Sequence, residues 1–118
     1  TEASGQVEMN KSQWEDIHDG MYRVVQTHAE FSGLGLAVAG KTGTAQEAED
    51  RPDHGLFIGY APYDSPEVAL AVRIPNGYSS GNACLAANDI LKYIFRLADE
   101  DEILTGYASA NSSDTSND

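Results

Sequence analysis

A chain of 118 residues with 41% hydrophobic content has room for one modest domain, and seven basic against nineteen acidic side chains leave it at a formal charge of −12. Such a charge repels phosphate backbones and anionic headgroups, which argues against nucleic acid as a partner. No apolar run reaches the roughly 20 residues of a membrane-spanning helix, no basic-then-apolar leader opens the chain, and Cys84 is the only cysteine, so no internal disulfide forms and the chain reads as soluble.

Residues 1–11 read as an extended lead-in in which Val7 and Met9 pair briefly as a strand. From Ser12 the pattern sharpens. Ser12 and Glu15 form an S-x-x-E capping box, and Trp14, Ile17, Met21, Val24 and Val25 recur at helical spacing, predicting an amphipathic helix over about Gln13–Thr27. Gly33 and Gly35 break the chain. The apolar run from Leu36 to Ala39 then leads into Gly40-Lys41-Thr42-Gly43-Thr44-Ala45-Gln46, a strand with glycines inside it. Glycine weakens a strand, so two of them flanking Lys41-Thr42 signal either a close approach to the backbone or a bulge.

The polar stretch from Glu47 to His54 joins this strand to a second, Gly55–Tyr60. A turn over Ala61–Pro66 leads to a third apolar run, Glu67–Ile74. Short links imply an antiparallel meander, and the near-continuous apolarity of the last two strands predicts that helices cover both faces of the sheet. After a Gly/Ser/Asn-rich loop, Ala83, Ala86, Ala87, Ile90, Leu91, Ile94, Phe95 and Leu97 mark a second amphipathic helix, capped by Ser80 or Asn82. Cys84 lies on it with no cation nearby in sequence to favour the thiolate, and reads as a small buried hydrophobe. Asp99 to Glu102 and a Ser/Asn/Asp-rich stretch to Asp118 read as a solvated, disordered tail. The fold class is α+β: an amphipathic helix, a three-stranded antiparallel sheet and a C-terminal helix.

The string Val38-Ala39-Gly40-Lys41-Thr42-Gly43-Thr44-Ala45-Gln46 resembles the KTG strand of penicillin-binding proteins, and Gly59-Tyr60-Ala61-Pro62 resembles the strand end that follows it in that family. The resemblance runs from about Ser12 to Leu97. Pro75–Ala83 looks more like class B transpeptidases than like class A β-lactamases. The resemblance implies a partial penicillin-binding transpeptidase fold, with residues 12–97 its C-terminal portion between the lead-in and the tail at 98–118.

By that resemblance the active site combines S-x-x-K with a nucleophilic serine, S-x-N, and the KTG strand. Only the third is expected here: no serine has a lysine three residues on, and the S-x-N-like string Ser109-Ala110-Asn111 falls in the tail. The chain alone is therefore expected to be inactive, although the longer protein would be a serine-type D,D-transpeptidase. Lys41 and Thr44 are the expected catalytic residues, and Thr42, Gly43 and Thr44 the substrate-binding ones. Lys41 offers a compact cation, the threonine hydroxyls can donate to a substrate or β-lactam carboxylate, Gly43 leaves room for the ligand backbone, and the Thr44 N–H joins the oxyanion hole. No cofactor is implied, and His18, His28 and His54 lack metal-ligand spacing.

The expected partners are the peptidoglycan stem peptide, β-lactams and the missing N-terminal part of the domain, with a homodimer through the sheet edges as a further possibility. The family resemblance implies the extracytoplasmic face of the bacterial cell membrane. Other readings are a D,D-carboxypeptidase, a β-lactamase or β-lactam sensor, and a non-catalytic interaction module.

Overall fold

The computed structural model describes residues 2–104. Helix α1 runs over Lys11–Gln26, strands β1, β2 and β3 over Ala39–Ala45, His54–Ala61 and Val68–Ile74, helix α2 over Ser80–Ile94 and a short helix α3 over Glu100–Ile103. The sheet has the order β1-β2-β3 and both pairings are antiparallel, so the expected α+β meander is present.

The helix starts differ from expectation. Helix α1 begins inside the expected lead-in because Asn10, not Ser12, caps it: the Gln13 N–H donates to Asn10 Oδ1 at 2.9 Å, and the Asn10 N–H donates to Gln13 Oε1 at 3.0 Å. Asn is as good an N-cap as Ser, and this reciprocal pair satisfies two orphan donors where Ser12 and Glu15 sit two residues too late. Val7 and Met9 belong to no strand.

Helix α2 begins at Ser80 with Ser79 as N-cap and no side-chain cap; Asn82 instead donates from Nδ2 to the Gly77 carbonyl at 2.8 Å. It ends at Ile94 rather than Leu97. Arg96 takes a left-handed φ of 53°, its N–H bonds the Tyr93 carbonyl, and the Leu97 N–H bonds the Lys92 carbonyl at 2.8 Å. That pair of hydrogen bonds is a Schellman closure, made here without the usual glycine. Nor does order stop at residue 98, since Asp99 and Glu102 form a capping box that starts α3. Residues 105–118, where the rest of the expected disordered tail falls, lie outside the described residues.

The core lies between the sheet and α2. Ala83, Cys84, Ala87 and Leu91 of α2 meet Phe57, with Val25, Phe31, Leu34 and Val38 closing the cluster and Leu70, Val72 and Ile74 packed at its border. Small side chains let α2 come close. A Cβ at Gly55 would lie 3.1 Å from the Ser79 carbonyl carbon and nearer still to its oxygen, so the start of α2 rests on the bare backbone of β2.

The other face of the sheet is only partly covered, which corrects the expectation of two covered faces. Helix α1 packs beside β1, and a run of rings ties it to the end of β2: Trp14 with His18 at 5.8 Å, His18 edge-on to Tyr60 at 5.5 Å, and Tyr22 stacked on Tyr63 at 4.6 Å. Beyond that end the face is open. Ile58 is 54% exposed, and Ala69, Ala71 and Arg73 alternate outward along β3.

Candidate active site

Strand alternation sorts the KTG residues between two faces. The register pairs Lys41 with Ile58 and Ile58 with Ala71, and these three share the open face with Gly43, Leu56 and Arg73. Gly40, Thr42 and Thr44 lie on the opposite face, beside Gly59, Phe57 and Gly55. The structure thus places Lys41 in solvent, with Nζ 2.6 Å from the Thr42 carbonyl. Thr44 is exposed near the end of the strand, whereas Thr42 is buried at 6% exposure. The expected set of Lys41 flanked by two available hydroxyls is therefore divided: the Thr42 side chain faces the core side, leaving Lys41 and Thr44 exposed.

The two glycines also part company. A Cβ on Gly40 would come within 2.6 Å of Phe57 Cε2 and 2.7 Å of the Ile58 carbonyl oxygen. Its partner across the ladder is Gly59, where a Cβ would meet the same ring at 2.7 Å. What approaches Gly40 is the fold's own phenylalanine, lying over a Gly–Gly pair; neither a bulge nor a ligand is needed to explain it. Gly43 has nothing nearer than Leu56 at 3.6 Å, an ordinary contact, so the protein's own packing makes no demand for glycine there.

Strand β1 pairs with β2 alone, so its outer edge is unpaired among the described strands. An unpaired edge presents backbone donors and acceptors to an extended peptide, and main-chain pairing of that kind gives affinity independent of side chains. The electrostatics suit an anion. On the open face the three strands carry Lys41 and Arg73 and no carboxylate, in a chain whose net charge is −12. What the strand lacks is a nucleophile: Ser80 is buried at the start of α2, and no serine in the chain has a lysine three residues on.

Two features escaped the sequence reading. Tyr60 has a buried hydroxyl without a hydrogen-bond partner among the described residues, and burial, then the neighbouring Tyr63 phenol, push its pKa above the usual tyrosine value. His54, expected at the end of the loop before the second strand and without metal-ligand spacing, opens β2 and is bonded at both ring nitrogens, to Glu47 and to Asn76. Period-two patterning carries no signal for either, because both depend on residues brought together by the turns.

The family model described as the penicillin binding protein transpeptidase domain matches residues 1–96. The chain is 35% identical over 99 residues to the peptidoglycan D,D-transpeptidase MrdA of Acinetobacter baumannii, covering 68% of this chain and 14% of that protein. Among solved structures it is similar to Pseudomonas aeruginosa PBP2 in complex with WCK 5153, with a TM-score of 0.67 and 33% identity over 81% of this chain and 21% of the other. The D,D-transpeptidase domain of a peptidoglycan glycosyltransferase from Eggerthella lenta gives a TM-score of 0.66 at 31% identity, over 75% of this chain and 21% of the other. The chain thus spans a small part of the length of each of these proteins.

Proposed function

Residues 1–96 place this chain in the penicillin-binding protein transpeptidase domain family, to which it belongs, and from that premise we propose that it supplies the ligand-binding strand of a peptidoglycan D,D-transpeptidase. The observation that carries the reading is the unpaired outer edge of β1, bearing an exposed Lys41 on a sheet face whose strands hold no carboxylate.

The strand's part in the reaction follows from its chemistry. A stem peptide ending in D-Ala-D-Ala lies along the edge of β1 as an added strand, and the Lys41 ammonium attracts its terminal carboxylate. Gly43 leaves the approach clear. A serine on additional polypeptide attacks the carbonyl between the two alanines, and the Thr44 N–H stabilises the oxyanion that develops. The C–N bond then breaks, terminal D-Ala leaves with the proton, and an amine of a second stem peptide displaces the serine from the acyl ester. Thr42, by its burial, acts through its backbone and packing rather than through its hydroxyl. A β-lactam presents an equivalent carboxylate and acyl carbon to the same groups.

The open face around Ile58, Ala69 and Ala71 is the surface on which the remainder of the domain packs, and in its absence two copies pair through it or through the free edge of β3. Sedimentation of the isolated chain tests this; a monomer at all concentrations would count against it. The reaction requires access to the cell wall, which places the complete protein on the extracytoplasmic face of the membrane. No helix among the described residues is long and apolar enough to cross a membrane.

Exposure of the full-length protein to benzylpenicillin, followed by intact mass and peptide mapping, tests the proposal. The expected result is one adduct on a serine outside this chain, with Lys41→Met slowing acylation by about 100-fold through loss of a charged donor. An adduct on a serine within the chain, or an unreactive full-length protein, would overturn it.

A further inference from the structure

His54 is a buried polar side chain, 6% exposed, at the first position of β2, where it pairs directly with Ala45 at the end of β1. Its ring is held at both nitrogens. The Asn76 N–H donates to Nδ1 at 2.9 Å, and Nε2 lies 2.7 Å from Glu47 Oε2. Since Nδ1 must accept, the neutral ring carries its proton on Nε2 and donates it to the carboxylate.

This one side chain therefore joins three segments: the start of β2, the residue two positions past the end of β1, and the loop between β3 and α2. That last loop is itself bent into an unusual shape. Asn76 and Tyr78 take left-handed φ values of 53° and 66°, and the Tyr78 N–H donates to the Asp53 carbonyl at 3.0 Å, beside the histidine contact. Glu47 is otherwise a surface residue, its side chain 65% exposed, and its bond to His54 ties the chain to the sheet just beyond the last rung of the β1–β2 ladder, Ala45 with His54. Thr44 lies three residues before Glu47 on that same length of chain.

We propose that His54 is a positioning residue for acyl transfer: in its Nε2–H tautomer it clamps Glu47 and thereby holds the end of β1, so that the Thr44 N–H keeps its place at the reacting carbonyl. This rests on the transpeptidase reading above. His54 lies outside the KTG strand, across the ladder from its last residue, Ala45. Oxyanion stabilisation is sensitive to displacements of about 1 Å, so a loosened strand exit should slow the chemical step more than it weakens the first encounter with the ligand.

The test uses the full-length protein, benzylpenicillin as probe, and separate measurement of the encounter constant and the acylation rate constant. Glu47→Ala removes one arm of the clamp at an exposed position, so folding is not at issue. It should slow acylation by about tenfold and change the encounter constant by less than about twofold. Hydrogen exchange over residues 44–47 should rise while the melting temperature stays close to that of the parent. Glu47→Gln keeps an acceptor oxygen and should restore the rate to within about twofold. His54→Gln can still donate to Glu47 and should be milder than His54→Asn, whose side chain reproduces only the acceptor facing Asn76.

Acylation by Glu47→Ala and His54→Asn within about twofold of the parent rate would overturn the positioning role, as would a loss that follows the melting temperature and is not restored by Glu47→Gln. A parent protein that benzylpenicillin does not acylate would overturn the transpeptidase reading itself, and this inference with it. An acylated parent with indifferent variants removes only the role of His54.

Discussion

Gly40→Ala should damage the fold although the added methyl group would ordinarily favour a strand. The new Cβ would stand 2.6 Å from Phe57 Cε2 and 2.7 Å from the Ile58 carbonyl oxygen, against about 3.5–4.0 Å for a relaxed contact, so about 1 Å must be found. The ring cannot easily supply it. Phe57 is fully buried, Phe31 sits 5.2 Å away centroid to centroid, and the Gly59 backbone lies under the same ring. Moving Ile58 O instead would disturb the β1–β2 ladder. Overpacking of this kind costs about 3 kcal/mol, and the smaller unfolded-state entropy of alanine returns about 0.5–1 kcal/mol, for a net destabilisation of about 2–3 kcal/mol.

Urea denaturation of Gly40→Ala, Phe57→Leu and the double variant measures the effect. Leucine lacks the outer ring atoms, so Phe57→Leu costs about 1–2 kcal/mol alone but relieves the clash, and the double variant should be more stable than additivity predicts by about 1 kcal/mol. The relief is partial because Ile58 O remains. A Gly40→Ala protein within about 0.5 kcal/mol of the parent, or strict additivity, would refute the assignment of Gly40 to the seat of the phenylalanine ring.

Gly43→Ala should leave stability within about 1 kcal/mol, since its Cβ would meet only Leu56 at 3.6 Å, yet slow acylation by a β-lactam; equal effects at both glycines in a melting and acylation series would erase the distinction. Tyr60 is neutral when protonated and its pKa is raised in the folded protein, by burial first and then by Tyr63, so its contribution is complete below about pH 10 and is lost as pH rises through the raised value. Tyr60→Phe should remove that alkaline loss and change stability at neutral pH by less than about 1 kcal/mol, because the buried hydroxyl has no partner among the described residues; thermal melts from pH 7 to 11 check both. Arg96→Gly should stabilise by about 0.5–1 kcal/mol in urea, because glycine relieves the left-handed φ of 53° that closes α2.

The helix, the three-stranded meander, the helix after it and the KTG strand were legible along the chain, because apolar spacing and turn residues act locally and survive in any environment, whereas α3 was not. The family was legible too, since a string of nine residues in a known order is specific where a tripeptide is not. The start of α1 shifted by two residues because Asn10 and Ser12 are equivalent caps on paper, and only the hydrogen bonds chose between them. At the site, exposure of Lys41 and burial of Thr42 follow from period two once α2 is known to lie against the Thr42 face. Which face that is, and what approaches each glycine, could not be read along the chain. Phe57 reaches Gly40 because the antiparallel register sets Gly59 opposite it, and His54 finds Asn76 because β3 returns beside β2. A side chain's local spacing reports its own preference, whereas the space and partners it meets are set by residues far away in sequence, and those only tertiary packing brings within reach.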